Sequence, residues 1–371
     1  MKKTNITPND KYHYFFGYYD LQPYDKTGNM HLAHRVKFMD RLPTKTDVAE
    51  IGYIDVKEKK FIKISQTHAW NFQQGALLVW YESGKSVMFN DYDGEYITRI
   101  VGLDGKEIKR LPLALGAVSA DRKKGLAINF ARIFDFRPGY GYSNKKDPYF
   151  EVNTPCDDGI FLVDIESGNS KLILSYQQMK KAFEEKPFTD GKLVVNHITF
   201  SPSAKEFVFL LRNFPEEGKK WGTVLAVSDL DGNVRKLTNF QVNSHYSYKN
   251  DKTLAIWSGL PEYGVYFFDT VSGARTRLNN KMIDRGDIHV NYSPDKKFFI
   301  GDGYVEEGSV RSLYRYDFDT AVASKIFSVH SEPAANTDVR CDLHARFNEN
   351  GSKISYDTTE NKRREIVEIE L

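Results

Sequence analysis

The sequence predicts an all-β chain, a seven-bladed β-propeller of four-stranded antiparallel blades, and three observations carry that expectation. Aromatic residues make up 14% of the 371 positions, with 22 Tyr and 25 Phe, and flat rings pack well on the pleated, half-buried surface of strands. A turn phrase related to Phe-Ser-Pro-Asp-Gly-Lys recurs at seven places, which is the mark of a repeat architecture. A second phrase, an alternating apolar strand ending in Asp, follows most copies at the spacing of propeller blades.

The turn phrases run Leu21–Lys26, Phe72–Gly75, Val118–Lys123, Phe200–Lys205, Tyr248–Lys252, Tyr292–Lys297 and Phe347–Lys353. Their turn residues suit the hairpin between the two inner strands of a blade. Third strands are expected to end at Asp55, Asp164, Asp229, Asp269 and Asp317, with degenerate copies at Val101–Asp104 and Ile366–Glu368. Turns such as Asp231-Gly232-Asn233 and Ser272-Gly273 then lead to a fourth strand. The last unit reaches Leu371 directly after its third strand, so its outer strand is expected from the N-terminus, from Lys11–Phe16 or the residues just before it.

Residues 1–371 therefore read as a single propeller domain with two insertions. One spans about 132–158, where the Gly and Pro content argues against regular structure. Its stretch Arg137-Pro138-Gly139-Tyr140-Gly141-Tyr142-Ser143 reads as a rim loop or lid whose tyrosines line a sugar site, or as a solvated excursion with aromatic anchors. The other, at about 176–186, carries Gln177–Glu185, the one segment expected to be helical. Glu216–Lys220 reads as a solvated turn.

Composition narrows the partners. Lys+Arg of 52 against Asp+Glu of 50 leaves no basic block, so neither nucleic acid nor a membrane surface is expected. Met1–Pro8 has two lysines without an apolar stretch, and no later run approaches membrane-spanning length; a cytoplasmic location is expected. Cys156 and Cys341 are too few for a disulfide framework and lack metal spacing, and Cys341 reads as a buried thiol. Oligomeric state has no signature here.

Four histidines, His197, His245, His289 and His344, each stand three residues before the aromatic that opens a turn phrase. Strand side chains alternate with period two, so each histidine should face away from its aromatic. On the innermost strand of successive blades, they should converge. Asp342 shares the parity of His344, giving a His/carboxylate cluster suited to manganese, iron, zinc or nickel. Any one of these histidines reads equally as a hydrogen-bonded core residue; the recurrence is the argument. Arg340 and Arg212 are candidates to bind an anionic ligand, or simple rim arginines. Trp70 is a candidate stacking platform for a sugar ring, or core, and Gly17-Tyr18-Tyr19-Asp20 has the same two readings. No phosphate loop, nucleophile elbow or dinucleotide fingerprint is present.

From Asn196-His197-Ile198-Thr199-Phe200-Ser201-Pro202 onward, the chain resembles the oligogalacturonate lyases, seven-bladed propellers related to the TolB-like repeat proteins. The matching pieces are Ser228–Asn233 followed by Asn243-Ser244-His245, Ile288-His289 with Gly301-Asp302-Gly303, and Asp342–Phe347. The resemblance implies a manganese ion held by His289, His344 and position 342, where this chain has Asp in place of a third histidine. Val339 stands in the place of a glutamine ligand, and Ser201 in that of an arginine near the chemistry. It also implies His245 as the base, a cytoplasmic enzyme, and β-elimination on an acidic, uronate-containing oligosaccharide. His197 joins His245 as a catalytic candidate. Two other functions fit the same residues: a glycoside hydrolase or other sugar-processing enzyme using the His/Asp site, and a non-catalytic TolB-like propeller that binds protein or glycan.

Overall fold

The computed structural model describes residues 1–218 and 220–371, so Lys219 of the expected solvated turn lies outside the described residues. Seven four-stranded antiparallel sheets are present, and the fold class is the seven-bladed β-propeller. Blade 1 is His13–Phe15, Met30–Val36, Ala49–Asp55 and Lys60–Thr67, and blade 2 is Val79–Glu82, Ser86–Tyr92, Tyr96–Gly102 and Glu107–Leu111. Blades 3, 4 and 5 begin at Leu115, Leu193 and Asn243. Blade 6 is His289–Tyr292, Phe298–Asp302, Val310–Asp317 and Ala323–His330.

Blade 7 takes three strands from the C-terminal region, Arg346–Phe347, Lys353–Thr358 and Glu365–Glu370, and its fourth from Lys3–Asn5. The register is antiparallel, with Lys3 opposite Ile369 and Asn5 opposite Val367. Of the two expected sources for that strand, it is the residues before Lys11 that close the blade. His13–Phe15 instead opens blade 1 as its innermost strand. Pairing of the chain ends covers the edge of Glu365–Glu370 with the three-residue strand Lys3–Asn5, and a very short outer strand is a poor template for further pairing.

The turn phrases work through one local chemistry. In Ser293-Pro294-Asp295-Lys296, the Ser293 hydroxyl donates to Asp295 Oδ1 at 2.7 Å and accepts from Phe298 N at 3.2 Å. Ser119 makes the same bonds to Asp121 at 2.6 Å and with Lys124 N at 2.9 Å. The fourth residue of the turn, Arg122, Ala204, Lys296 or Gly351, adopts left-handed φ of 61°, 53°, 60° and 74°, a cost that the turn's hydrogen bonds offset. The third-strand aspartates accept backbone N–H groups of the following turn, as Asp164 does from Ser167 N at 2.7 Å and Asp269 from Ser272 N at 2.7 Å.

One phrase is placed differently from expectation. Phe72–Gly75 precedes blade 2 and closes on itself through an Asn71–Gly75 bridge, while the inner hairpin of that blade turns at Ser83-Gly84. The segment from 132 onward also departs from the expected irregular loop. It starts within a short helix, α1 (Phe130–Phe136), capped by Asn129, whose side chain accepts from Arg132 N. Tyr140 and Tyr142 are buried, and Tyr142 stacks on Phe130 at 4.2 Å, so they anchor the insertion and offer no sugar platform. Arg132, fully buried, holds the insertion together: it pairs with Asp147 at 3.0 Å and donates to the carbonyls of Leu193 and Asn153 at 2.6 and 2.7 Å. The expected helix is α2 (Tyr176–Ala182), with Ser175 and Gln178 forming a capping box.

The chain divides into two compact units, residues 1–110 with 280–371, and residues 111–279. The first holds an aromatic core that includes Tyr14, Phe15, Trp70, Phe72 and Trp80. The second holds an apolar core that includes Val208, Leu225, Tyr246, Ile256 and Phe268. Among the described residues, no helix is long and apolar enough to cross a membrane.

Candidate metal centre

His289 enters at the first position of blade 6's inner strand, directly opposite Asp302 on the next strand. Its Nδ1 lies 3.2 Å from Asp302 Oδ2. The same carboxylate oxygen accepts the backbone N–H groups of Leu343 at 3.0 Å and His344 at 3.2 Å. One buried aspartate thus orients one histidine and fixes the chain that carries the other.

The segment Cys341–Ala345 is not strand; blade 7's inner strand is only Arg346–Phe347. His344 sits at φ 43°, in the left-handed region where a side chain is strained. Its placement therefore comes from Asp302 and from Gly17, whose carbonyl oxygen lies 2.9 Å from His344 Nδ1. Gly17 is itself held: Arg346 Nη2 donates to its carbonyl at 2.6 Å, and Arg346 forks onto Asp357 at 3.1 and 3.2 Å. Gly17 has φ +132°, and a Cβ there would stand 2.9 Å from the Gln74 carbonyl, so only glycine carries this strap. The strap's two tyrosines wall the histidines, with Tyr18 5.0 Å from the His344 ring and Tyr19 5.2 Å from the His289 ring.

Carboxylate and carbonyl oxygens only accept, so Nδ1 carries the proton on both rings and Nε2 holds the lone pair. The rings themselves are 4.6 Å apart. Asp342 completes the cluster, and the ligand atoms of His289, Asp342 and His344 all lie within 4.8 Å of one another, each residue buried. Two guanidiniums flank the Asp342 carboxylate: Arg311 Nη1 at 2.8 Å from Oδ1, and Arg340 Nε at 2.8 Å from Oδ2 and 3.1 Å from Oδ1. Burial works to raise the Asp342 carboxyl, but Arg311 and Arg340 outweigh it and hold the group well below the usual carboxylate range. Burial also opposes charge on His289, yet Asp302 raises its pKa overall.

These residues fit a divalent cation. Two imidazoles present lone pairs whose tautomer is set by outer-sphere acceptors, as metal-bound histidines require. Asp342 Oδ2 is buried and accepts no well-formed hydrogen bond from the described residues. Two His and one carboxylate is a donor set for manganese, iron or zinc. Gln73, read in the sequence as part of a turn phrase and of the Trp70–Gln74 stretch around the stacking candidate, stands close by. Its Nε2 donates to the Arg340 carbonyl at 2.9 Å, and its buried Oε1 has no hydrogen-bond partner among the described residues.

The fold is shared with oligogalacturonate lyase. One solved structure, an oligogalacturonate lyase in complex with manganese, superposes with a TM-score of 0.71 at 15% identity, covering 100% of this chain and 93% of that one. The Vibrio parahaemolyticus oligogalacturonate lyase gives 0.67 at 13% identity, covering 99% and 93%. A prolyl endopeptidase structure also matches, with a TM-score of 0.57 at 11% identity, over 97% of this chain and 47% of that one. At these identities the likeness is one of fold, and a fold hosts many chemistries. No protein-family model and no curated protein matches the chain.

The remaining sequence candidates lie elsewhere. Trp70 is 1% exposed, edge-to-face with Phe72 at 5.2 Å, and its indole N–H donates to the Asp47 carbonyl at 3.2 Å. It is a core residue and presents no face to a sugar, which removes it as a stacking platform. Val339, in a short turn, is likewise buried core, and its carbonyl accepts from Arg364. His197, His245 and Arg212 belong to the second unit. His197 sits at a bulge with φ 54° and stacks on Tyr246 at 4.0 Å. His245 also falls at a register shift, its Nδ1 3.3 Å from Ser244 Oγ. Arg212 is buried in its strand, its guanidinium 5.8 Å from the ring of the exposed Trp221. In the sequence Asp302 stands out only within a matching phrase, Gln73 only within the stretches that surround it, and Arg311 not at all. A signal for Asp302 was available: it ends a strand expected to pair with the one His289 opens.

Proposed function

We propose that this chain is a metal-dependent lyase that cleaves uronate-containing oligosaccharides by β-elimination. The observation that carries the reading is the convergence of His289, Asp342 and His344, oriented by Asp302 and Gly17, beside two buried arginines. A divalent cation bound there supplies positive charge against the substrate's carboxylate. Arg340 and Arg311 add to that charge in a low-dielectric surrounding, where electrostatic stabilisation of a developing enolate is strongest. Their shared Asp342 keeps both guanidiniums pointed at one place. Tyr18 and Tyr19 cover the two histidine rings and keep water from them.

In the elimination, the hydrogen on the carbon beside the uronate carboxylate leaves as a proton to a base. Its bonding pair forms a carbon–carbon double bond, and the glycosidic oxygen departs with its own pair. His245 takes the base's role on the family resemblance, and a neutral imidazole suits that task near neutral pH. His197, at the same repeat position, is the second catalytic candidate, and Arg212 is proposed to assist substrate binding. Manganese is the metal proposed first, since one solved structure of similar fold is a manganese complex.

The test is incubation with uronate oligosaccharides and manganese, following near-ultraviolet absorbance of the new double bond alongside reducing ends. Absorbance that grows with reducing ends, and is lost in His289→Ala and His344→Ala, supports the lyase. A second reading is favoured by the His289–Asp302 pair, which has the form of an oriented acid–base dyad: reducing ends without absorbance would mark a glycoside hydrolase. Neither signal, with no metal retained, leaves a non-catalytic binding propeller.

A further inference from the structure

A cavity of about 430 Å³ adjoins the metal centre within the first unit, and it has a different chemical character from the centre itself. Its wall is shared. Ile288 and Gly303 line it, and these are the chain neighbours of His289 and Asp302. Tyr304 lines it too, with its ring 6.5 Å from the His289 ring and 5.1 Å from the Arg340 guanidinium carbon. The volume is in the range of pockets that hold a sugar-sized ligand.

Charge separates the two compartments. At the metal centre, Arg311 and Arg340 are matched by the carboxylates of Asp342 and Asp302, so a bound divalent cation would leave the centre positive. The cavity has the opposite balance: one arginine, Arg285, against Glu306 and Glu307. Arg285 is already engaged, 4.0 Å from Glu306 and 3.4 Å from the Tyr314 hydroxyl, and Tyr314 in turn donates to Glu306 at 2.8 Å, so Glu307 is the carboxylate that meets a ligand first. Asp287 stands behind Tyr304, accepting its hydroxyl at 3.5 Å. A second uronate in this cavity would place its carboxylate among carboxylates. The floor, by contrast, is apolar, with Ile283 at 2% and Ile288 at 3% exposure.

We infer that the substrate is a uronate joined to a hexosamine, with the uronate at the metal centre and the hexosamine in this cavity. The nitrogen substituent donates to Glu307, with the Arg285- and Tyr314-bound Glu306 beside it, the pyranose ring lies along Tyr304, and the sugar's C–H face rests on Ile283 and Ile288. A free ammonium and an N-acetyl amide share the N–H donor, and the test separates them. This inference rests on the lyase reading for the uronate half.

The experiment is calorimetric titration of the full chain with manganese against three saturated disaccharides: uronate–glucosamine, uronate–N-acetylglucosamine and uronate–uronate. A hexosamine-bearing disaccharide is expected to bind about three- to fivefold tighter than uronate–uronate, the scale of one half-exposed charge contact. The double substitution Glu306→Gln/Glu307→Gln should abolish the advantage of the free amine, reduce that of the N-acetyl form less, and leave uronate–uronate binding unchanged or improved. Equal or tighter binding of uronate–uronate by the unsubstituted chain overturns the inference, as does a double variant with unaltered preference. Cleavage of uronate–uronate alone overturns only the hexosamine assignment. Failure of all three sugars to bind takes the lyase reading down with it.

Discussion

Asp302 is the residue whose replacement best separates architecture from metal chemistry. Its Oδ2 serves three partners at once, the His289 ring and the amides of Leu343 and His344, at 3.2, 3.0 and 3.2 Å. Asp302→Asn keeps the shape and the one acceptor oxygen, so the amides remain satisfied, but a neutral carbonyl holds the His289 Nδ1 proton more weakly than a carboxylate does and leaves the ring a poorer ligand. Losing such an outer-sphere partner costs about ten- to a hundredfold in metal affinity, or about 1.4–2.8 kcal/mol. Asp302→Ala also strands both amides in a buried place, at about 1–3 kcal/mol each. The Asn variant should therefore melt near the unsubstituted protein and bind manganese or zinc ten- to a hundredfold more weakly in competition with a chelating dye. The Ala variant should melt several degrees lower as well. If Asp302→Asn binds metal as tightly as the parent, the argument that Asp302 orients a metal ligand is refuted.

Arg132→Met should destabilise the chain by about 3–5 kcal/mol, because it leaves Asp147 buried and uncompensated; denaturant melts measure this. Deleting residues 1–6 should lower the melting temperature and promote aggregation, read by light scattering, since it exposes the edge of Glu365–Glu370. Burial pushes the Cys341 thiol up to about 11 while Cys156 is exposed, so native alkylation at pH 8 followed by mass spectrometry should modify Cys156 and spare Cys341. Burial lowers His31 to about 3 and His34 to about 4; between the ordinary value of 6.5 and those values the unfolded chain binds protons that the folded chain refuses. Stability in urea should consequently fall as pH drops from 6.5 toward 4, and a flat profile over that window would contradict the assignment.

The fold was legible because a blade repeats its punctuation. Six turn phrases fall between the inner strands of their blades, and the third-strand aspartates at 55, 164, 229, 269 and 317 all end strands. Each has a local cause, a side chain that bonds the backbone a few residues away, so no tertiary knowledge is needed to read it. Phe72–Gly75 misled because Asn71 makes a turn from the same residue types outside a hairpin; Asn71 Oδ1 accepts from Gln74 N at 2.8 Å. The helix α1 was hidden for the opposite reason. Its signals, the Asn129 cap and Phe130, Ala131 and Ile133 on a buried face, lie before the Gly-Pro-rich stretch that drew attention. What stabilises the insertion is Arg132, and the carbonyls it gathers are up to 61 residues away in sequence.

The candidate site was legible in its members and misjudged in its reason. Period-two alternation was the argument for bringing His344 and Asp342 together, yet the segment that carries them is not strand and His344 is left-handed. His197 and His245 likewise sit at register shifts, where alternation is broken. At three of the four positions the inner strand is irregular, His289 in register with Asp302 being the exception, and an irregular backbone needs outside support. For His344 that support is Asp302 from the neighbouring blade and Gly17 from the far end of the chain, clamped by Arg346 and Asp357. Sequence shows a histidine at such a position but not the acceptor that selects its tautomer, because the acceptor is a carbonyl with no residue signature. Asp342 follows the same logic. Read alone it is a departure from a three-histidine site; set between Arg311 and Arg340 it is a carboxylate kept ionised by two guanidiniums. A carboxylate at 342 holds arginine charge beside His289 and His344, which a neutral imidazole would not, and under the proposed function it ties the strength of metal binding to the strength of anion binding. Arg311→Gln should consequently tighten manganese binding while weakening that of a uronate, and opposite movement of the two affinities is the observation that this coupling requires.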